Sequence, residues 1–150
     1  MTVFSSYLQK NLIKPQPANF HQIQKQLSRA ARDLKTAKKI LKEDAEWAAS
    51  IAYHAMLRAG RSLLFAYGYL PQGGGQHKTI VELTGKILGQ DYSDIVHQFN
   101  RFRKKRNLFF YDSEDAGNIY EAEKAIETAA LLLGKVKEQI AQQNPQFHLS

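Results

Sequence analysis

The sequence lacks cysteine, has no long apolar run, and contains fewer acidic than basic residues. Without cysteine there is no disulfide framework, no thiolate nucleophile and no zinc-thiolate site. No segment approaches the roughly 18 apolar residues of a membrane span, and the N-terminus lacks a basic segment followed by an apolar run. These absences predict a cytoplasmic protein without a membrane partner.

Composition indicates a single folded domain with a basic surface. The chain has 150 residues, of which 43% are apolar and 23% are charged, as is typical of soluble globular proteins. The formal charge is +7 and the sequence pI is about 9.6. Anionic partners such as RNA, DNA or nucleotides are therefore expected, although basic surfaces also occur on proteins that bind nothing acidic.

Apolar spacing predicts a first helix from Ala18 to about Glu43, opened by a capping box of Asn19 with Gln22. Its apolar residues recur every three or four positions: Phe20, Ile23, Leu27, Ala30, Leu34, Ala37 and Leu41. The opposite face is cationic, with Arg29, Arg32, Lys35, Lys38, Lys39 and Lys42. This pattern is typical of a helix that packs on one side only.

The next segment, Asp44 to Tyr69, is apolar nearly all round and predicts a central helix. Its polar residues Ser50, His54, Arg58 and Arg61 follow one another at i, i+4, i+8 and i+11, on one face. Two interpretations are open at this point. The stripe faces solvent or a subunit partner, or it belongs to a site that faces a basic motif further along the chain.

The stretch "GYLPQGGGQHKT" predicts a loop between helices. It does not match a phosphate-binding P-loop, because the glycines stand at the wrong distances from Lys78. We expect the third helix to begin with a capping box of Thr79 and Glu82 and to end at Gly89 and Gln90.

The remaining sequence predicts two more helices and no sheet. They run from about Tyr92 to Phe110 and from about Glu114 to Gln142, and no window alternates with period two. The fold class predicted is all-α, a single-domain up-and-down bundle of about five helices. We expect an N-terminal arm over residues 1–17, the bundle over 18–142 and a frayed tail over 143–150.

The stretch "RFRKKRNLFFYD" ends the fourth predicted helix. Arg106 continues the apolar stripe of Ile95, Phe99 and Phe102, which predicts that Arg106 faces the core. A polar line runs beside it, with Asn100, Arg103, Asn107 and Tyr111. A buried arginine needs a partner, so Arg106 either pairs with an acid such as Asp112 or Glu114 or with a carbonyl at a helix end, or it lines a cleft that receives a phosphate.

The segments "YHAMLRAGRSLLFAYGY", "RKKRNLFFYD" and "EDAGNIYEAEKAIETAALLL" together resemble the HEPN family of small all-helical proteins, over roughly residues 20 to 140. The resemblance implies a homodimer that brings two copies of an Arg-Asn-x-x-x-His motif into one cleft. Many members are metal-independent ribonucleases, often toxins paired with an antitoxin or a small nucleotidyltransferase. It implies neither a metal nor a cofactor.

Arg106 matches the motif arginine and Asn107 the residue after it, but Tyr111 stands where the histidine is expected. In the family the histidine would transfer a proton during attack of a ribose 2′-hydroxyl on the phosphate, which suits its pKa near 6.5. Tyrosine is a poorer base but donates a hydrogen bond. His54 is the candidate substitute, since His97 faces away from Arg106. By resemblance, Tyr111 is also a candidate target for adenylylation.

Three hypotheses follow. The chain is a toxin-type endoribonuclease, an inactive dimer that binds a nucleotide, RNA or a partner protein, or a structural protein in which Arg106 only forms a salt bridge. For the first, the candidate catalytic residues are Arg106, Asn107 and Tyr111. The candidate supporting or binding residues are Arg103, Asn100, His54, Arg58 and Arg61.

Overall fold

The computed structural model describes residues 2–111 and 119–145, with the side chains of 107–111 left out. Within these ranges the chain forms six α-helices, a 3₁₀ turn at Gln90–Tyr92 and a small sheet. In chain order the elements are α1 Ser5–Gln9, β1 Ile13–Pro15, α2 Phe20–Ile40, α3 Ala45–Ala66, β2 Tyr69–Pro71, α4 Gln76–Leu88, α5 Ser93–Tyr111 and α6 Ile119–Gln143. The all-α helical bundle is confirmed.

Helix α3 is the centre of the bundle, as its apolar sequence predicts. It packs most extensively on α2 and α6 and also contacts α4 and α5. Gly60 allows α4 to approach closely, because a Cβ atom there would lie 2.6 Å from Ile80 Cγ2 and 2.9 Å from Thr84 Oγ1. The close approach of α4 to α3 brings the first turn of α4 beside the polar stripe of α3.

Helix α2 follows its sequence pattern closely. The Asn19 side chain accepts a hydrogen bond from the Gln22 backbone N–H at 3.0 Å, so the predicted start is confirmed. Ile23, Leu27 and Ala30 are buried, whereas all six cations on the opposite face are exposed. The apolar face of α2 therefore packs on α3 and leaves its cationic face in solvent.

The expectation of no sheet is wrong. Strands β1 and β2 pair antiparallel, with Ile13 opposite Pro71 and Pro15 opposite Tyr69. Strands of three residues are too short to show alternation, and a proline in each removes a backbone donor, so sequence pattern gives no signal for them. The pair joins the N-terminal segment to the loop after α3, and Phe4, Tyr7 and Ile13 of that segment are buried in the core.

The predicted start of the third helix is also wrong. Helix α4 begins at Gln76, after Gly75 in the left-handed conformation (φ 70°), and Thr79 lies inside it with its hydroxyl donating to the Gly75 carbonyl at 3.2 Å. Its predicted end is confirmed, since Gly89 (φ 88°) follows the last turn. Glycine supplies both positive φ angles without steric penalty, which is why it brackets this helix.

Helix α6 buries one apolar face, whereas Ile119 at its first position is 46% exposed. The buried residues of this face are Ala122, Ile126, Ala129, Leu133, Val136 and Ile140. The predicted helix start at Glu114 and the tail residues 146–150 lie outside the described residues. Over residues 2–111 and 119–145, no helix combines the length and apolar character needed to cross a bilayer.

Candidate functional site

A cavity of about 900 Å³ opens between α2, α3, the start of α4 and the end of α5, and is called the basic cavity below. Four cations line it: Lys25, Arg58, Arg61 and Arg106. Neither Asp nor Glu occurs among its described lining residues. The basic cavity therefore concentrates positive charge in a concave, partly desolvated place, which favours an anionic ligand.

Only one of these cations is neutralised within the described part of the chain. Arg58 donates to Asp33 at 3.1 Å and to Gln26 at 2.6 Å. Asp33 also accepts from Arg29 at 3.4 Å, so this carboxylate is shared between two arginines. No described carboxylate pairs with Lys25, Arg61 or Arg106, and these three leave the cavity its excess charge.

Arg106 does not lie in the core, so its predicted core-facing position is wrong. Phe99 and Phe102 are buried, but Arg106, one turn later, is exposed. The stripe leaves the core because the neighbouring helix α4 begins there, at Gln76. Arg106 Nη1 lies 3.4 Å from His77 Nδ1, and the acids proposed as its partners, Asp112 and Glu114, lie outside the described residues.

His77, which contacts Arg106, is also in contact with Tyr53. The Tyr53 hydroxyl lies 3.2 Å from His77 Nδ1, and the two rings meet edge to face at 5.8 Å between centroids. Tyr53 is buried, with 2% of its surface exposed, whereas His77 is half-buried and lines the basic cavity. His54 enters the same cavity from α3, with its ring 6.5 Å from that of Tyr53.

Burial and neighbouring cations keep both histidines neutral. Burial lowers the pKa of His54 below its ordinary 6.5, and the Arg106 charge lowers it further. Burial likewise lowers the pKa of His77, with added effects from Arg106, His54 and Arg103. Burial raises the pKa of Tyr53, so its hydroxyl stays protonated. At neutral pH the basic cavity thus holds two uncharged imidazoles beside a permanent guanidinium.

Stability is expected to fall as pH drops below 6.5, the ordinary pKa of both histidines. In the unfolded chain His54 and His77 gain protons there, whereas in the folded chain their lowered pKa values keep them unprotonated until lower pH, so acid favours unfolding. Urea unfolding at about pH 7.5 and about pH 5.5 measures the difference. A His54→Gln/His77→Gln variant should lose less stability over this interval, while His21→Gln, an exposed site on α2, should behave as wild type.

The residues singled out from the sequence fall into two places. His54, Arg58, Arg61 and Arg106 line the basic cavity together. Asn100 and Arg103 line a second cavity of about 760 Å³ between α4 and α5, where Arg103 Nε donates to Asn100 Oδ1 at 3.0 Å. His97 also lines the second cavity, on the side away from Arg106.

Three other predicted residues do not line the basic cavity or have side chains outside the described part of the structure. The side chains of Asn107 and Tyr111 lie outside the described residues, so their roles stay predictions. Ser50, the first member of the α3 stripe, is buried in the bundle and does not line the basic cavity. In the ranges that the structure describes, no three His, Asp or Glu side chains are grouped so that they could hold a metal ion.

His77 is a site residue that the sequence analysis missed. The predicted start of the third helix at Thr79 puts His77 in the glycine loop. With the helix starting at Gln76, His77 shares a face with Ile80 and Thr84, at i+3 and i+7, and this face packs on α3 at Gly60. A correct helix start would therefore have directed His77 towards the polar stripe of α3.

Comparison with known proteins bears on the family of the chain. A family model described as HEPN domain matches residues 23–139. No curated protein matches the chain significantly. The matched stretch contains most of α2, all of α3 to α5 and nearly all of α6, and with them every residue that surrounds the basic cavity apart from Gln16 and Gln22. Because this match covers well over half of the 150 residues, the chain belongs to the HEPN domain family.

Proposed function

We propose that the protein is a metal-independent endoribonuclease whose active site is the basic cavity. The observation that carries the proposal is the placement of Arg106 beside His77 and His54 in a cavity whose described lining has no carboxylate. An RNA phosphodiester is an anion that such a cavity attracts. A guanidinium is suited to the charge on its oxygens, and a neutral histidine accepts a proton near pH 7.

Each group has a role in the cleavage step. The ribose 2′-hydroxyl attacks the adjacent phosphorus, and His54 takes its proton. The bond from phosphorus to the 5′-oxygen breaks, and the leaving oxygen takes a proton, for which Tyr111 is the proposed donor. Arg106 stabilises the charge that builds on the phosphate oxygens, and Asn107 is proposed to orient them. The products are a 2′,3′-cyclic phosphate and a 5′-hydroxyl end.

A second candidate is a nucleotide-binding domain without chemistry. The floor of the basic cavity is apolar, with Leu57, Phe65 and Ile80, and its volume lies in the range of small-ligand sites. Ser62 on the same wall is buried, and its hydroxyl has no hydrogen-bond partner among the described residues. A ligand that satisfied this hydroxyl would remove the penalty of an unpaired buried polar group.

Pairing with a second copy is part of the proposal. The family resemblance implies a homodimer in which two copies of the Arg106 motif share one cleft, and a toxin of this kind works beside an antitoxin or nucleotidyltransferase. In such a dimer the positive charge of two basic cavities would act on one RNA strand. A longer stretch of backbone would then be bound than one cavity of about 900 Å³ holds.

RNA cleavage in excess chelator tests the function. Wild type is compared with Arg61→Glu, which reverses a charge in the basic cavity, and with Arg32→Glu, which reverses an exposed charge on α2 outside it. We expect cleavage by wild type and Arg32→Glu, and a rate at least about tenfold lower for Arg61→Glu, because one charged hydrogen bond contributes about 1.5–3 kcal/mol.

The readout is a denaturing gel, after circular dichroism has shown that all three proteins are folded. Intact RNA in every lane would overturn the proposed catalysis. If filter binding then showed salt-dependent retention of nucleotide or RNA by wild type, weakened in Arg61→Glu, the second candidate would replace the first.

A further inference from the structure

Tyr53 is a buried residue that the cleavage step does not use, yet its hydroxyl contacts His77, which lines the basic cavity. Its ring is packed near Phe99, at 6.2 Å between centroids, and 2% of its surface is exposed. A buried hydroxyl needs a hydrogen-bond partner, and within the described chain His77 Nδ1 at 3.2 Å supplies it. The packing of Tyr53 thus restrains one edge of the His77 imidazole.

Arg106 determines the direction of this hydrogen bond. Its Nη1 lies 3.4 Å from the same nitrogen, His77 Nδ1. A guanidinium has donors and no acceptor, so the contact is favourable only when Nδ1 carries no proton. The Tyr53 hydroxyl must then donate to Nδ1 as well. In a neutral imidazole with an unprotonated Nδ1, the proton lies on Nε2.

The surrounding charges keep the ring neutral. Cations face the cavity from three helices, and the nearby carboxylate of Asp33 is shared by Arg29 and Arg58. These cations are Lys25 on α2, Arg58 and Arg61 on α3, and Arg106 on α5, with Arg103 acting on His77 from the neighbouring turn. A second proton on His77 would be repelled by this set, most directly at Nδ1.

We propose that Tyr53 is a positioning residue which, together with Arg106, fixes His77 as the neutral tautomer protonated on Nε2, so that His77 offers the basic cavity an N–H donor for a phosphate oxygen. The phosphate ligand rests on the proposed function, whereas the tautomer rests on the contacts alone. Within the described residues Nε2 has no hydrogen-bond partner, so this donor is available to a ligand.

The two histidines of the basic cavity then have different roles. The lone pair of His77 Nδ1 is already engaged by Tyr53 and Arg106, and Nε2 carries a proton, so His77 accepts no proton from the 2′-hydroxyl. His54, with no hydrogen bond to another described residue, keeps a free lone pair for that role. His77 is then a hydrogen-bond donor to the phosphate, and His54 is the base.

Nitrogen-15 NMR of the histidine rings in the full-length protein tests the tautomer without RNA. An unprotonated ring nitrogen resonates far downfield of a protonated one. We expect the downfield signal of His77 to be Nδ1 at neutral pH. In Tyr53→Phe, which keeps the buried ring, the two His77 shifts should move towards those of mixed tautomers, whereas Tyr7→Phe, whose hydroxyl donates to Glu82, should leave them unchanged.

A His77 ring protonated on Nδ1 in wild type would overturn the proposal, and so would shifts unchanged in Tyr53→Phe. Inorganic phosphate then probes the donor. We expect phosphate to move the His77 Nε2–H resonance, His77→Ala to weaken phosphate binding roughly tenfold, and His77→Gln, which retains an N–H near the same position, to restore part of it. Equal phosphate affinities of wild type, His77→Ala and His77→Gln would reject the donor role, whether or not the protein cleaves RNA.

Discussion

Arg106→Ala is expected to lower the rate of RNA cleavage about 100- to 1,000-fold, the usual loss when one donor to a developing oxyanion is removed. The guanidinium is the cation that lies beside both histidines, and no described carboxylate neutralises it. The cleavage rate of Arg106→Lys should fall between those of wild type and Arg106→Ala, because an ammonium keeps the charge without the planar pair of donors. Single-turnover cleavage of a defined oligonucleotide measures the rates.

The fold should survive this substitution. Arg106 is exposed and makes one long contact within the described residues, so its loss should change the free energy of unfolding by less than about 0.5 kcal/mol. Arg32→Ala, an exposed arginine outside the basic cavity, is the matched control and should retain both rate and stability. If Arg106→Ala instead unfolded several kcal/mol more easily at an unchanged rate, the arginine would be structural.

Phe99→Ala is expected to lower the free energy of unfolding by about 3–5 kcal/mol. The side chain is fully buried where α5 packs on α3, and a methyl group cannot fill the space that it leaves. Phe99 also packs against Tyr53, so its loss should loosen the restraint on His77. Urea unfolding followed by circular dichroism measures the change.

Leu131→Ala is the control for this prediction. Leu131 lies on α6 with 49% of its surface exposed, so its truncation should stay within about 0.5 kcal/mol of wild type. Similar losses of unfolding free energy in Phe99→Ala and Leu131→Ala would contradict the central position of Phe99. A Phe99→Leu variant should recover most of the stability, because it refills much of the volume.

For α2 and α3 the sequence was sufficient to predict features that depend on one helix alone. The three-and-four spacing of α2 predicted its buried and cationic faces, and Asn19 predicted where it begins. The line from His54 to Arg61 on α3 predicted that these side chains share a surface, which is one wall of the basic cavity. Each of these follows from helical geometry, which depends on spacing along the chain.

The features that the sequence did not predict depend on where one element ends beside another. Arg106 continues an apolar stripe, but a stripe does not reveal that α4 begins at Gln76 and leaves the last turn of α5 exposed. The contact between Tyr53 and His77 joins two helices across a loop. Periodicity carries no information about such distances, and a strand of three residues carries almost no periodicity at all.

The pairing of β1 with β2 has a consequence for the order in which the protein folds. The two strands are separated along the chain by α2 and α3, so their pairing closes a long loop. Closing this loop costs less conformational entropy once α2 and α3 are already packed together. Local contacts such as the α2–α3 hairpin form earlier than distant ones. Gln16, which follows β1, lines the basic cavity, and so does Leu70, which lies within β2. The rim of the cavity is therefore completed after the α2–α3 hairpin, and a ligand that binds there selects the chain with both strands paired and stabilises the docked N-terminal segment.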